Sequence, residues 1–585
     1  MDRRSTCAQP DHCALPSAVL AAADAALAAA TPQAPRHLAS VLDEGETALV
    51  ARLHLIRAAR DTIDVQTYIW DHDDAGLLVL DELVQAAWRG VKVRILVDQL
   101  SAFGDLSLID RLARVSPNLE VRLYNPTFDR AQISPLGWAA GIVCCFFRFN
   151  QRMHNKLLLV DDRVGITGGR NYQNRYFDWD PVLDFVDRDI LIGGPAARSM
   201  ADSFLLFWNH PRSVPLTHLR DVNRRLRTHP DAPGWPPPRY ADPSRVAQAR
   251  REATDAQWIQ DHILADSLRV GTAEFFSDLP GKTETPHERA ALAFTRRLMQ
   301  LIAGARHEVV LQTPYLVMGD RATKIFAGLR RKQPPPQIVV STNSLASTDG
   351  FAAYALTYKH RKRYIKELGF EIYELKPHAR DPWLVYQRTR MGNGTPPSQE
   401  QAPTEPAVFA HSEQGGLLGS HGGRPVPLES GGLRFSLHAK SLVVDSSFAM
   451  IGSHNFDPRS DHYNTEAGVI VYDHRLAARL RGAILRDVRP ENAWVVAPRE
   501  PVPVLTDISQ AIGDVSSSLP LFDFWPFRYA TDFELKDGCA PMRPSNPAFY
   551  SCYRPVGDFP DVAMTPKAIY TRLITAFGLG VQGIL

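Results

Sequence analysis

Hydrophobic and polar residues alternate with a β-like period in a set of short runs, and those runs occur twice. Residues 62–70 (TIDVQTYIW) match residues 308–316 (EVVLQTPYL), and 92–99 (KVRILVDQ) match 337–343 (QIVVSTN). Residues 119–126 (LEVRLYNP) match 370–377 (FEIYELKP), and 188–194 (RDILIGG) match 466–472 (EAGVIVY). Between the first two runs of each copy the apolar spacing turns helical, over 76–89 and 320–331. Between the second and third it does so again, over 107–114 and 354–368. A further helix fits 44–59, where Leu49, Leu53, Leu55 and Ile56 supply an apolar stripe. Strands alternating with helices, repeated once, predict an α/β protein of two similar lobes. Each lobe is a helix-flanked β-sheet, and a pseudo-two-fold axis relates the two.

The repeat predicts a first lobe over residues 41–215 and a second over 291–490. The Pro- and charge-rich stretch 216–290 reads as a linker. An Ala-rich helical extension fills 1–40, and the Gly-, Pro-, Ser- and Gln-rich stretch 380–432 reads as a loop inserted before the last part of the second lobe. Residues 491–585 form a Pro-rich tail with an aromatic cluster at 522–529 (FDFWPFRY), read as packing, and an apolar end at 569–585.

Each lobe carries one copy of a longer pattern, H-x-K, four residues, Asp, six residues, then Gly-Gly or Gly-Ser and an Asn one place on. The first copy has His154, Lys156, Asp161, Gly168, Gly169 and Asn171; the second has His438, Lys440, Asp445, Gly452, Ser453 and Asn455. Residues two apart on a strand share a face, so each His and Lys are expected to project together. Facing copies bring two imidazoles, two ammonium groups and two amides around one point, between the lobes. That set suits a phosphoryl group: Lys156, Lys440, Asn171 and Asn455 bind its oxygens as charge builds. One imidazole attacks phosphorus while the other protonates the leaving oxygen. The lysines supply the charge, so neither a metal nor another cofactor is expected. Asp161 and Asp445 belong to the catalytic pattern by position, although a turn role suits their chemistry better. Asp187 and Glu466 open equivalent strands after the two motifs and are expected to orient the imidazoles.

The remaining features narrow the setting. A chain of 585 residues with 44% apolar and 22% charged residues is globular, and a net charge of +2 gives no sign of a nucleic-acid partner. The longest apolar run, 136–147 (LGWAAGIVCCFF), is too short to span a membrane. It reads first as buried, with a segment dipping into a lipid interface as the alternative. The basic run 359–363 (KHRKR) reads as a solvated helix face. The N-terminus makes a poor signal peptide. Cys7 with Cys13, and Cys539 with Cys552, are spaced for short disulfide loops, which imply an oxidising compartment; unpaired cytosolic thiols are the alternative.

The duplicated pattern resembles the phospholipase D superfamily, whose mark is this pair of H-x-K-x4-D-x6-G-[SG]-x-N motifs. The stretches TNSLASTD (342–349), YELKP (373–377), RMHNK (152–156) and GSHNFDPRSDHYNTE (452–466) resemble its bacterial cardiolipin synthase C-type branch. The resemblance implies two phospholipase D-like lobes sharing one active site, a phosphatidyl-histidine intermediate, and transfer of a phosphatidyl group from phosphatidylglycerol with a second phospholipid. It points to His154 as nucleophile and His438 as acid/base. It also implies phospholipid substrates and a peripheral position on the membrane of a bacterial envelope, on the periplasmic side if the terminal cysteines are bridged and on the cytoplasmic face otherwise. The alternatives are a phospholipase D that releases phosphatidic acid, and a phosphodiesterase acting on nucleic acid.

Overall fold

The computed structural model describes residues 6–99, 105–230, 234–282, 292–378, 425–500 and 529–578. It contains two large mixed sheets. The first runs in the order Ser213–Pro215, Leu119–Tyr124, Lys92–Asp98, Thr62–Thr67, Leu157–Val160, Val164–Gly168, Asp189–Gly193, His37–Leu42, Leu268–Val270. The second runs Ala493–Pro498, Phe370–Leu375, Gln337–Asn343, Glu308–Gln312, Ser441–Val444, Phe448–Gly452, Ala467–Val471, Ala273–Ser277, with Ala530–Leu535 and Tyr553–Gly557 added beyond Ala493–Pro498. Strand for strand the two orders coincide over eight positions, so the internal repeat of the sequence is a repeat of topology.

Local chemistry explains the shared plan. The parallel strands of each lobe, such as Thr62–Thr67 beside Lys92–Asp98 and Glu308–Gln312 beside Gln337–Asn343, need crossovers, and helices Asp74–Arg89 and Asp320–Arg330 supply them. The first of these helices is capped at both ends. Asp73 accepts the N–H of Gly76, and Gly90 closes the helix at φ +114°, a conformation that suits glycine. The lobes do not pack as separate bodies. One apolar core combines Leu159, Ile190 and Ile192 of the first lobe with Val310, Val443 and Ile451 of the second, all buried.

Several boundaries differ from those the sequence suggested. Stretch 216–290 is no simple linker. Helices Pro243–Glu252 and Ala256–Ile259 bury Val246, Ala249 and Ile259 in the first lobe's core, and the chain then supplies edge strands to both sheets, Leu268–Val270 and Ala273–Ser277. The N-terminal extension has helix Ala18–Ala28, but His37–Leu42 is a strand of the first sheet paired with Asp189–Gly193. The tail adds three strands to the second sheet and ends in helix Pro566–Gly578, whose Ile569 and Leu573 are buried beside Tyr354 and Tyr358. Insertion residues 379–424 and aromatic-cluster residues 522–528 lie outside the described residues.

The basic run does not form a solvated face either. Arg361 is buried and donates to Glu374, with Asp532 at 3.4 Å. The apolar run is helix Pro135–Asn150, and it is not buried: Leu136 is 84% exposed and Val143 87%. Among the described residues no helix is long and apolar enough to cross a membrane. Disulfides join Cys7 to Cys13 and Cys539 to Cys552, and a third joins the neighbours Cys144 and Cys145.

Candidate active site

The site is assembled where two short parallel strand pairs stitch the lobes together. Arg152–Met153 pairs with Asn464–Thr465, and Leu183–Val186 pairs with Arg434–Leu437. Each H-x-K tripeptide follows directly on one of these strands. His154, Asn155 and Lys156 are therefore a joint between Arg152–Met153 and the sheet strand Leu157–Val160, rather than part of a strand as the sequence suggested. His438, Ala439 and Lys440 form the matching joint before Ser441–Val444. The joints are fixed from across the interface. The N–H of His154 donates to the Thr465 carbonyl at 3.0 Å, and the N–H of His438 to the Val186 carbonyl at 2.9 Å.

One residue beyond each acceptor carbonyl stands a carboxylate. Glu466 follows Thr465 and meets Nδ1 of His154 at 2.9 and 3.2 Å. Asp187 follows Val186 and meets Nδ1 of His438 at 2.6 Å. The pairing is crossed: each lobe's carboxylate orients the other lobe's imidazole. Nδ1 of His438 also lies 2.8 Å from Nζ of Lys440, but one nitrogen cannot donate to the carboxylate and accept from the lysine together. An Nδ1–H given to Asp187, with Lys440 donating to the His438 carbonyl, satisfies all three groups. Lys156 likewise donates to its own motif's His154 carbonyl, at 2.7 Å.

The carboxylates are in turn held in place. Ser453 donates its hydroxyl to Glu466, and Asp278 accepts the Glu466 N–H at 3.1 Å. Lys282 anchors Asp278 at 2.8 Å and also donates to the carbonyls of Ser460 and Asn464. Both Asp278 and Lys282 come from the presumed linker. In the first copy glycine stands where the second has Ser453, and the reason is room: a Cβ on Gly169 would sit 2.1 Å from Asp187 Oδ1. Arg170, buried beside it, donates to the carbonyls of Leu42, Asp43, Tyr176 and Asp187 and locks the turn.

The signature's other residues divide. Asn171 accepts from the Ile69 N–H at 3.1 Å and donates to Tyr176 Oη at 2.9 Å, so part of its amide is structural. Asn455 keeps its side-chain oxygen unbonded although buried. Asp161 and Asp445 do not enter the site. Each lies at the turn after its sheet strand with a positive φ and accepts three backbone N–H groups, from 60–62 and from 306–308, at 2.7–3.0 Å. Their place in the catalytic pattern reflects the hairpin that carries the site, not the chemistry. Aromatic residues not singled out from the sequence wall the imidazoles. Tyr68 lies edge-on to His154 at 5.3 Å, and Tyr176 and Phe185 lie 5.1 and 5.0 Å from His438. Tyr315 donates to Asp349 at 2.8 Å nearby.

Burial sets the charge states. It lowers the pKa of His154 to about 3 and of His438 to about 4, against the pull of Glu466 and Asp187. Burial likewise lowers Lys156 to about 7 and Lys440 to about 8, with the two lysines depressing Lys156 further by mutual repulsion. Burial would raise Asp187 and Glu466, but the imidazoles and lysines around them hold both below the usual carboxylate range. A neutral ring that gives its Nδ1–H to a carboxylate presents a bare Nε2 lone pair. The empty site thus has two such nitrogens among cations that a bound anion would keep charged. Among the described residues no cluster of His, Cys, Asp and Glu is arranged to hold a metal ion.

The same geometry is written in known sequences. The family model described as "Cardiolipin synthase, PLD-like domain" matches residues 53–189 and 418–488, which include both motifs. Cardiolipin synthase C of Escherichia coli (strain K12) is 31% identical over 439 residues, covering 74% of this chain and 81% of that protein. The chain belongs to the phospholipase D-like cardiolipin synthase family. As a member of that family it is a phospholipase D-type enzyme with both signature copies intact. An uncharacterised family relative in Helicobacter pylori (strain J99) is 29% identical, over 76% of this chain and 78% of its own. Among solved structures, a phosphatidylserine synthase from Haemophilus influenzae covers 85% of this chain and 98% of its own, at 14% identity and a TM-score of 0.46.

Proposed function

We propose that the protein is a phosphatidyltransferase that makes cardiolipin from phosphatidylglycerol and a second phospholipid through a phosphohistidine intermediate. In the first half-reaction the Nε2 lone pair of His154 attacks phosphorus. The bond from phosphorus to the headgroup oxygen breaks, and His438 delivers a proton to that oxygen. The phosphodiester brings the negative charge that lets His438 carry this proton despite its burial. In the second half-reaction His438, neutral again, takes the proton of the acceptor hydroxyl as its oxygen attacks phosphorus, and the N–P bond breaks. Lys156 and Lys440, with the amides of Asn171 and Asn455, balance charge on the phosphoryl oxygens without a metal. The single observation that carries this reading is the crossed pair His154–Glu466 and His438–Asp187, which prepares two imidazoles identically for opposite roles.

Incubation with labelled phosphatidylglycerol, phosphatidylethanolamine and glycerol tests it. Cardiolipin is the expected product, insensitive to chelator and absent from His154→Ala and His438→Ala. Phosphatidic acid alone would reassign the protein as a hydrolase, and cleavage of plasmid DNA with inert lipids would make it a nuclease. Loss of turnover on chelation would refute the metal-free route.

A further inference from the structure

We propose that helix Pro135–Asn150, together with the neighbouring helix Arg220–Thr228, forms the surface by which the enzyme docks on an anionic phospholipid bilayer. The proposal rests on the transferase reading and names the face on which that activity meets its substrate.

Leu136, Ala140, Val143 and Cys144 are all exposed, at the i, i+4, i+7, i+8 spacing of a single helix face. Leu136 and Val143 are by exposure the two most open large apolar side chains among the described residues, and Phe128 of the preceding turn is 42% exposed. A stripe of this kind at full exposure is costly in water unless something covers it. Arg148, also exposed, is the helix's sole charge.

The second element decides what covers it. Helix Arg220–Thr228 carries four arginines, of which Arg220, Arg224 and Arg227 are exposed. It is tied to the root of the apolar helix, because Asp221 accepts the backbone N–H groups of Ala131 and Gln132 at 2.9 and 3.0 Å. Arg220 reaches Asp129 at 3.4 Å. An apolar stripe flanked by an arginine row matches the two layers of an anionic leaflet, acyl chains below and phosphates above. The placement also suits catalysis. The apolar helix ends at Asn150, whose carbonyl accepts from Arg459, and His154 follows four residues later. At about 1.5 Å per residue the stripe extends about 20 Å from that point. A lipid drawn from the docked leaflet therefore enters beside the nucleophile.

Flotation of the full chain with vesicles tests the assignment. The wild type should float with vesicles of phosphatidylglycerol and phosphatidylethanolamine, more weakly at high salt, and weakly with phosphatidylcholine alone. Leu136→Asp with Val143→Asp should lower vesicle binding at least tenfold. Arg224→Ala with Arg227→Ala should lower it about tenfold and flatten the salt dependence. Both variants should keep wild-type turnover of a short-chain phosphatidylglycerol presented below its micellar concentration, which checks the fold. Unchanged flotation of either variant, or failure of the wild type to bind anionic vesicles, would overturn the proposal. A dimer abolished by the same substitutions with flotation intact would give the face to a second copy of the chain instead. Vesicle binding lost on substitution, in a protein that transfers no phosphatidyl group to any acceptor, would sink the transferase reading and leave the docking surface standing.

Discussion

The crossed carboxylates make a prediction that separates this architecture from two self-sufficient half-sites. Glu466→Gln and Asp187→Asn each preserve shape while removing the charge that holds an Nδ1–H. The bonds at stake are 2.9 Å to Glu466 and 2.6 Å to Asp187. A hydrogen bond to an ionised partner contributes about 1.5–3 kcal/mol, which corresponds to about 10- to 150-fold in rate. The assay is a stopped-flow burst with two donors, natural phosphatidylglycerol and an analogue with p-nitrophenol as leaving group. Nitrophenolate departs without a proton, so its burst reports nucleophilic attack alone. Glu466→Gln should slow the burst with both donors. Asp187→Asn should slow natural phosphatidylglycerol and the return half-reaction but spare the nitrophenyl burst. Acid quenching and peptide mapping identify the labelled histidine independently. Whichever imidazole carries the label, the burst must respond to the carboxylate of the opposite lobe. A burst that follows the carboxylate of the same lobe would refute the crossed arrangement.

Two further outcomes follow from the electrostatics. With burial holding Lys156 at about 7 and Lys440 at about 8, kcat/KM should fall on the alkaline side from about pH 7–8 as the ammonium charges are lost; a profile level to pH 9.5 would contradict the charge balance described. Asp445 has its pKa lowered: burial would raise it, and the N–H groups of Glu308, His307 and Arg306 outweigh that. Its contribution is therefore present above its unfolded value near 3.8 and lost as pH falls through the folded one. Asp445→Ala should cost about 2 kcal/mol of unfolding free energy at neutral pH after solvent screening, shrinking towards pH 3, with turnover within about threefold of wild type. Denaturant melts at the two pH values and a rate assay check this, and a site-dead but fully stable variant would return Asp445 to the chemistry.

The repeated strands and both motifs are legible in the sequence because their information is local: alternating apolar residues and fixed spacings survive translation into space. What escaped was non-local. Strand Ala273–Ser277 is five residues within a charged, Pro-rich stretch, and only its pairing with Ala467–Val471 makes it part of a sheet. Asp278 and Lys282 carry no pattern, and their value comes from meeting Glu466 across a long chain separation. Arg361 was readable in principle, since it lies three and seven residues after the buried Tyr358 and Tyr354 on one helix face, yet a run of five basic residues masks that periodicity. The crossed carboxylates lie beyond sequence reasoning altogether. Spacing puts Asp187 after His154 and Glu466 after His438, and only the docking of the lobes decides which ring each one meets.

Two strand pairs, each with one member per lobe, set a condition on the whole molecule. A severed half would keep its imidazole and its lysine but lose the acid that aims the ring and the carbonyl that pins the joint. Neither fragment could perform even half of the chemistry by itself. Covalent fusion of the halves turns that dependence into an advantage, because the partner is always present and assembly no longer varies with dilution.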